Sequence, residues 1–365
     1  MDTIFDAITL GDIPLKNRAV MAPLTRGRAG ESRIPNDLMA QYYGQRAGDA
    51  GLIIAEATAI SEQGYGWPGA PAIYNDDHED GWKKVTKAVH DKNGKIFLQL
   101  WHMGRVKDES TYRNNEQAVA PSAIAASQNI RRASGKAYPV PRALDADELP
   151  SLVNDYVDAA KRALRAGFDG VEVHSANGYL LDQFLRDGSN QRQDEYGGSI
   201  ENRIRFPLMV IKAVAKAIGP GKVGVRISPT NPFNDMKDSD PAALFSAFAK
   251  ELNALGLAYL HILEPIREEH AFANGPVFVT PIIRKVYDGN LIVNGGYGLD
   301  SANTVIADKT ANAVAFGVPY LANPDLMARF QAGADLNEPD QATFYAGGAE
   351  GYTDYPALDQ NEEAA

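Results

Sequence analysis

Eight short apolar runs recur along this chain, and they restrict its fold more tightly than any other feature. They span 19–25, 52–58, 96–102, 170–174, 223–228, 259–264, 291–296 and 313–317. A strand with one wet face alternates apolar and polar side chains. These runs hardly alternate, as strands covered on both faces require. Stretches with helical periodicity lie between most of them. The clearest is 147–165, where Leu149, Leu152, Val153, Tyr156, Val157, Ala160 and Leu164 share one face. Gly167 follows, placed for a left-handed C-terminal cap. Similar stretches occupy 80–92, 204–218, 241–255 and 324–330. Eight strand–helix repeats favour a closed parallel barrel over an open sheet. No G-x-G-x-x-G turn follows any run, so a Rossmann dinucleotide site has no support. The expected fold class is α/β, a single (β/α)8 (TIM) barrel domain over residues 1–358.

Two segments exceed a minimal barrel. Residues 3–16 alternate around Gly11-Asp12 and read as an N-terminal hairpin capping the barrel's lower end. Residues 103–146, rich in Ser, Asn, Pro and Arg, form a long insertion after the third strand, which reads as a functional flap. Residues 359–365 read as a disordered acidic tail. The net charge of −11, with no run of Lys or Arg, argues against a nucleic-acid partner. No apolar stretch is long enough to cross a bilayer, and the first residues lack a signal peptide's basic and apolar regions. A cytoplasmic protein without a membrane partner is expected. The lack of cysteine excludes disulfides, thiolate nucleophiles and Cys-ligated metals.

In a barrel of this kind, chemistry sits where the strands end. The residues collected there are Thr25, Ala57, Gln99, Trp101, His102, His174, Asn177, Tyr179, Arg226, Glu264 and the Gly295, Gly296 and Gly317 backbones. Arg226 lies inside the fifth strand, where an unpaired guanidinium is very costly. It needs an anionic partner, either a ligand or a carboxylate such as Glu56 or Glu172, which also lie inside strands. His174 and Asn177, three apart, can donate to one oxygen. Tyr179 joins them only on a looped backbone, which Gly178 permits. Alone, His174 suits a structural role equally well, and Gln99 and Trp101 look like core. Glycine turns after the seventh and eighth strands are a barrel's usual phosphate site.

Three chemistries compete for this set. A Schiff-base aldolase needs a lysine at a strand's end, whereas Lys95 and Lys222 lie at strand beginnings. A metal-dependent hydrolase could recruit His102, His174, His261 and Glu264, yet no H-x-H pair or carboxylate cluster appears. A cofactor enzyme accounts for the phosphate turns, Arg226 and Gln99 together.

Longer motifs sharpen the choice. They are Ala22-Pro23-Leu24-Thr25-Arg26, Gln99-Leu100-Trp101-His102, His174-Ser175-Ala176-Asn177-Gly178-Tyr179, the run 194–203, Asn323-Pro324-Asp325-Leu326 and Gly351-Tyr352-Thr353-Asp354-Tyr355-Pro356. In this order, over nearly the whole chain, they resemble the old yellow enzyme family, in its N-ethylmaleimide reductase-like branch. The resemblance implies FMN as cofactor and NADPH or NADH as reductant. It also implies ping-pong reduction of activated alkenes (enones, enals, maleimides, nitroalkenes), with hydride from flavin N5. Pro23, Leu24 and Thr25 would lie against the flavin, Ala57 would offer its backbone, and Gln99 would read the pyrimidine edge. Arg226 would face N1 and the C2 carbonyl. Gly295, Gly296, Tyr297, Gly317 and Val318 would surround the phosphate, and Tyr352 would close over the dimethylbenzene side. His174 and Asn177 would bind the acceptor's oxygen and Tyr179 would supply the proton, in a substrate pocket with Trp67 and Trp101. No metal is implied. The chain departs from the family pattern at Val318, where an Arg is usual, and at Trp67, where many members carry Tyr.

Overall fold

A computed structural model describes residues 1–112, 116–126, 137–265 and 278–358. The chain enters through an antiparallel hairpin, β1 (Ile8–Leu10) and β2 (Ile13–Leu15). The barrel then starts with β3 (Ala19–Met21), β4 (Leu52–Ala59) and β5 (Ile96–Trp101). The long insertion contributes two-residue strands, β6 (Val119–Ala120) and β7 (Arg142–Ala143). The barrel continues with β8 (Gly170–Ser175), β9 (Val223–Ile227), β10 (Tyr259–Leu263), β11 (Leu291–Asn294) and β12 (Ala313–Phe316). These eight strands are all parallel, and β12 pairs with β3 to close the ring. The expected fold class is the observed one.

Alternate residues of each strand enter the barrel. At its lower end these are Val20, Leu52, Ile54, Phe97, Tyr259 and Ile292, packed on Leu10, Ile13 and Leu15 of the hairpin. The hairpin turn is fitted to the lower loops. Asp12 N–H donates to Gly221 O at 3.0 Å, and a Cβ on Gly11 (φ +57°) would stand 2.3 Å from that oxygen, so only glycine serves there. Two residues further along the same strands the interior turns polar, with Gln99, Glu172, Arg226, His261 and Asn294 all buried. An apolar plug below and a polar layer above make the upper end the place for a site.

Helices cover the outside: α1 (Asp37–Ala47), α2 (Asp76–His90), α3 (Leu149–Arg165), α4 (Leu180–Leu185) and α5 (Ile200–Ile218). They are followed by α6 (Pro241–Asn253), α7 (Thr280–Ile283), α8 (Leu299–Ala307), α9 (Val318–Ala322) and α10 (Leu326–Ala332). In α3 the buried residues include Leu149, Leu152, Tyr156 and Ala160, and Gly167 beyond it is left-handed at φ +94°. Among the described residues no helix is long and apolar enough to cross a membrane. Parts of the 103–146 insertion and the 359–365 tail lie outside the described residues.

Candidate active site at the top of the barrel

A cavity of about 600 Å³ opens above the polar layer, within the roughly 300–1,000 Å³ usual for small-molecule sites. Its wall carries Pro23, Leu24 and Thr25, which follow β3, and Arg226 of β9. In the layer below, Gln99 Nε2 donates to Glu172 Oε1 at 2.7 Å, and the other Glu172 oxygen lies 2.9 Å from His261 Nδ1. Burial opposes ionisation of Glu172, but His261, Arg226 and Gln99 outweigh it and hold the carboxyl below its usual range. Arg226 donates through Nη2 to Asn294 Oδ1 at 2.9 Å, while its buried Nε has no partner.

Neither strand carboxylate pairs with Arg226. Glu172 is engaged as above, and Glu56 accepts from Tyr43 Oη and the Arg26 backbone N–H. A buried guanidinium with an unused N–H in a cavity wall suits a ligand edge that accepts hydrogen bonds. Gln99 belongs to the floor rather than the wall. Ala57 sits at the register shift of β4, buried beside Trp101 and Met103.

The turn after β8 builds the second part of the wall. Asn177 (φ +58°) and Gly178 (φ +72°) are both left-handed, and this loop brings Asn177 and Tyr179 to the same cavity. Asn177 N–H donates to Ser228 Oγ at 2.8 Å and Gly178 N–H to Asp182 Oδ2 at 2.9 Å. Asp182 is itself paired with fully buried Arg186, which donates to the Ser228 and Pro229 carbonyls. His174 and Trp101 each lie 5.0 Å, ring centre to ring centre, from Tyr179. His174 is buried against Tyr179 rather than set in the wall. Burial, then Arg226 and His261, depress its pKa well below the usual value, so the ring is neutral and donates from one nitrogen. Burial raises the Tyr179 phenol above its usual value, so it keeps its proton through the neutral range.

The third part holds Gly295, Gly296 and Tyr297 after β11, with Gly317 and Val318 after β12. A Cβ on Gly295 (φ +138°) would stand 2.7 Å from Glu264 O, so this turn requires glycine. Among the described residues, Arg26 and Arg226 are the only cations bordering the cavity. Arg26 is engaged with the carbonyls of Phe344 and Gly351 and with Tyr42 Oη. Arg329 is not free to serve as a cation beside Val318. Its guanidinium is engaged by Asp325, the Asp335 carbonyl and the Pro356 carbonyl.

Five of the expected site residues do not line the cavity: Ala57, Gln99, Trp101, His174 and Tyr352. Tyr352 is fully buried, stacked on Tyr42 at 4.0 Å with the Arg26 and Arg28 guanidinium groups 4.9 and 4.7 Å from its ring. Gln341, Phe344 and Tyr345 border the cavity from that segment instead, and Tyr345 packs 5.6 Å from Trp67. Sequence reasoning missed these three along with Arg26, Asn231 and Phe233. Of them only Arg26 carried a signal, being the last residue of the motif that starts at Ala22. His102 accepts from Gly104 N–H at 3.1 Å through Nδ1. Among the described residues no three His, Asp or Glu side chains gather as metal ligands.

Comparison with known proteins gives the site its context. Residues 3–337 match the family described as NADH:flavin oxidoreductase / NADH oxidase. A probable flavin mononucleotide-dependent alkene reductase of Leishmania infantum is 46% identical over 98% of both chains. The 12-oxophytodienoate reductase 1 of Oryza sativa subsp. japonica is 44% identical over 97% of this chain and 93% of its own. Among solved structures, the old yellow enzyme homologue from Zymomonas mobilis superposes with a TM-score of 0.94 at 45% identity, covering 98% of this chain and all (100%) of that one. Morphinone reductase in complex with tetrahydroNAD gives 0.92 at 48% identity over 99% of both chains. Motifs, barrel and relatives thus lead to one assignment: the chain belongs to the NADH:flavin oxidoreductase / NADH oxidase family and is an oxidoreductase of the old yellow enzyme type.

Proposed function

We propose that the protein uses FMN, reduced by NADPH or NADH, to reduce activated carbon–carbon double bonds of small molecules such as enones, enals, maleimides and nitroalkenes. One observation carries this reading. A single cavity is bordered by Arg226 with its unused N–H, by the glycine turns of β11 and β12, and by the Asn177–Tyr179 loop. These are the parts a flavin mononucleotide and an acceptor beside it need: an edge donor, a phosphate cradle and a hydrogen-bonding face. The ring system would be held by Pro23, Leu24, Thr25, Ala57, Gln99 and Arg226. The phosphate would be held by the backbones of Gly295, Gly296, Tyr297, Gly317 and Val318. The names of the alkene and 12-oxophytodienoate reductases among the relatives support the acceptor class.

Bound FMN would supply the hydride. The chain's own residues do the remainder. His174 and Asn177 donate to the acceptor's carbonyl or nitro oxygen and stabilise the charge that develops there. Tyr179 holds a proton at Oη and delivers it to the neighbouring carbon. Heat or acid should release about one FMN per chain, identified by mass spectrometry; release of none would end this reading. Anaerobic reduction by NADPH or NADH, then reoxidation by each acceptor class, ranks the partners.

A further inference from the structure

We propose that Asn231 is a positioning residue that fixes the direction of the Asn177 amide, so that Asn177 meets the acceptor as a hydrogen-bond donor and not as an acceptor. This rests on the reading that Asn177 binds the acceptor's oxygen. An asparagine amide turned by half a revolution swaps its oxygen and its NH2 group with little change of shape. Only one of the two orientations stabilises negative charge, so something must choose between them.

The choice follows from a group whose polarity is fixed. The Phe233 backbone N–H can only donate, and it donates to Asn231 Oδ1 at 3.0 Å. Asn231 Nδ2 is thereby turned the other way and donates to Asn177 Oδ1 at 3.3 Å. With its oxygen engaged, Asn177 has its Nδ2 left for a ligand in the cavity that both asparagines border. The Asn177 backbone is pinned independently: its N–H donates to Ser228 Oγ at 2.8 Å, and its carbonyl accepts from Asn234 Nδ2 at 2.8 Å. The same loop is pressed on the turn, since a Cβ on Gly178 would stand 2.7 Å from Asn234 Cβ. Among the described residues, Asn231 is the partner of the Asn177 side chain.

Two substitutions separate positioning from mere support. Asn231→Asp keeps the size and still accepts from Phe233 N–H, so a structural role would tolerate it. A carboxylate, however, can only accept, and it draws Asn177 Nδ2 toward itself and turns Asn177 Oδ1 to the ligand. Asn231→Ala removes the lock without imposing the wrong polarity. The probe is 4-nitrophenolate, a flat oxygen anion, whose binding to the flavin-loaded protein is measured by equilibrium dialysis without turnover.

Asn231→Asp should weaken binding about 10- to 100-fold, and Asn231→Ala by less than about 5-fold. Simple repulsion by the new charge is removed by a double-mutant cycle. In an Asn177→Ala background the Asp substitution should lose most of its effect. An equal loss in both backgrounds, or a larger loss for Ala than for Asp, would overturn the proposal. If Asn177→Ala alone leaves binding unchanged, the donor reading of Asn177 fails first, and the proposal with it.

Discussion

At the scale of single residues, what was legible in the sequence was chemical need. Arg226 announced a partner, a ligand or a strand carboxylate, because a guanidinium inside a strand has to be satisfied; neither carboxylate pairs with it, and one of its N–H groups is left unused. Asn231 announced nothing, because its meaning lies in a neighbour 54 positions away along the chain. Removing one donor to developing charge typically lowers a rate about 10²–10³-fold. His174→Ala and Asn177→Ala should therefore each slow the oxidative half-reaction by that much in stopped-flow. Tyr179→Phe should impair alkene reduction and spare quinone or nitro-group reduction, which needs no proton on carbon. Equal losses on all acceptors would argue against the acid role. Because burial raises the Tyr179 pKa, its protonation should give the wild-type rate no alkaline limb below pH 10. At the phosphate end, Val318 is 41% exposed, so Val318→Arg has room. A charge-assisted hydrogen bond contributes roughly 1.5–3 kcal/mol, or about 10- to 100-fold in FMN affinity. The gain should shrink as salt rises, and an unchanged dissociation constant at low salt would count against the idea.

At the scale of elements, the eight barrel strands were read to the residue at their starts, because burial on both faces leaves no ambiguity of period, while the first was read four residues too long at its end. Helices were read only where they had a wet face. α4 was missed because all six of its residues are buried, leaving no stripe to detect. α1 was missed because it buries Arg46 together with Tyr42 and Tyr43, so charge and apolarity share one side. α2 begins four residues before its apolar periodicity. Asn75 caps it by accepting from His78 N–H at 2.9 Å, with Asp76, Asp77 and Glu79 in the first turn. The turn after β8 is the least tolerant element of the site. In Gly178→Ala a new Cβ would meet Asn234 Cβ at 2.7 Å and Phe233 O at 3.0 Å, on a backbone at φ +72°. Strain of this kind costs about 1–3 kcal/mol. The variant should unfold at lower denaturant and bind 4-nitrophenolate more weakly. A variant that binds as well as wild type would show that the loop yields without moving Asn177.

For the whole molecule, several buried histidines set an acid limit. Burial, reinforced by Lys107, pushes the His102 pKa down from 6.5 to about 3, and burial takes His78 to about 4. Both folded-state values lie below the unfolded value, so the unfolded chain takes up protons that the folded chain refuses. Their contribution is complete above pH 6.5 and is lost as pH falls toward 4 and 3. Each such site weakens folding by up to ~1.4 kcal/mol per pH unit in that window. His102→Asn retains an acceptor for Gly104 N–H, so the denaturation free energy of this variant should vary less with pH there. Identical slopes would exclude His102 as a source.

Arg26 follows the first barrel strand, yet it holds the carbonyls of Phe344 and Gly351 and lies over the Tyr352 ring. The two sides of the cavity are therefore separated by most of the message that encodes them. During synthesis the Pro23–Thr25 side leaves the ribosome first, and the barrel can begin to gather from its N-terminal strands. The segment that covers it follows only after some three hundred further codons. A nascent chain stalled short of that segment would present Arg26 without its carbonyl partners, and the cavity without the border that Gln341, Phe344 and Tyr345 give it.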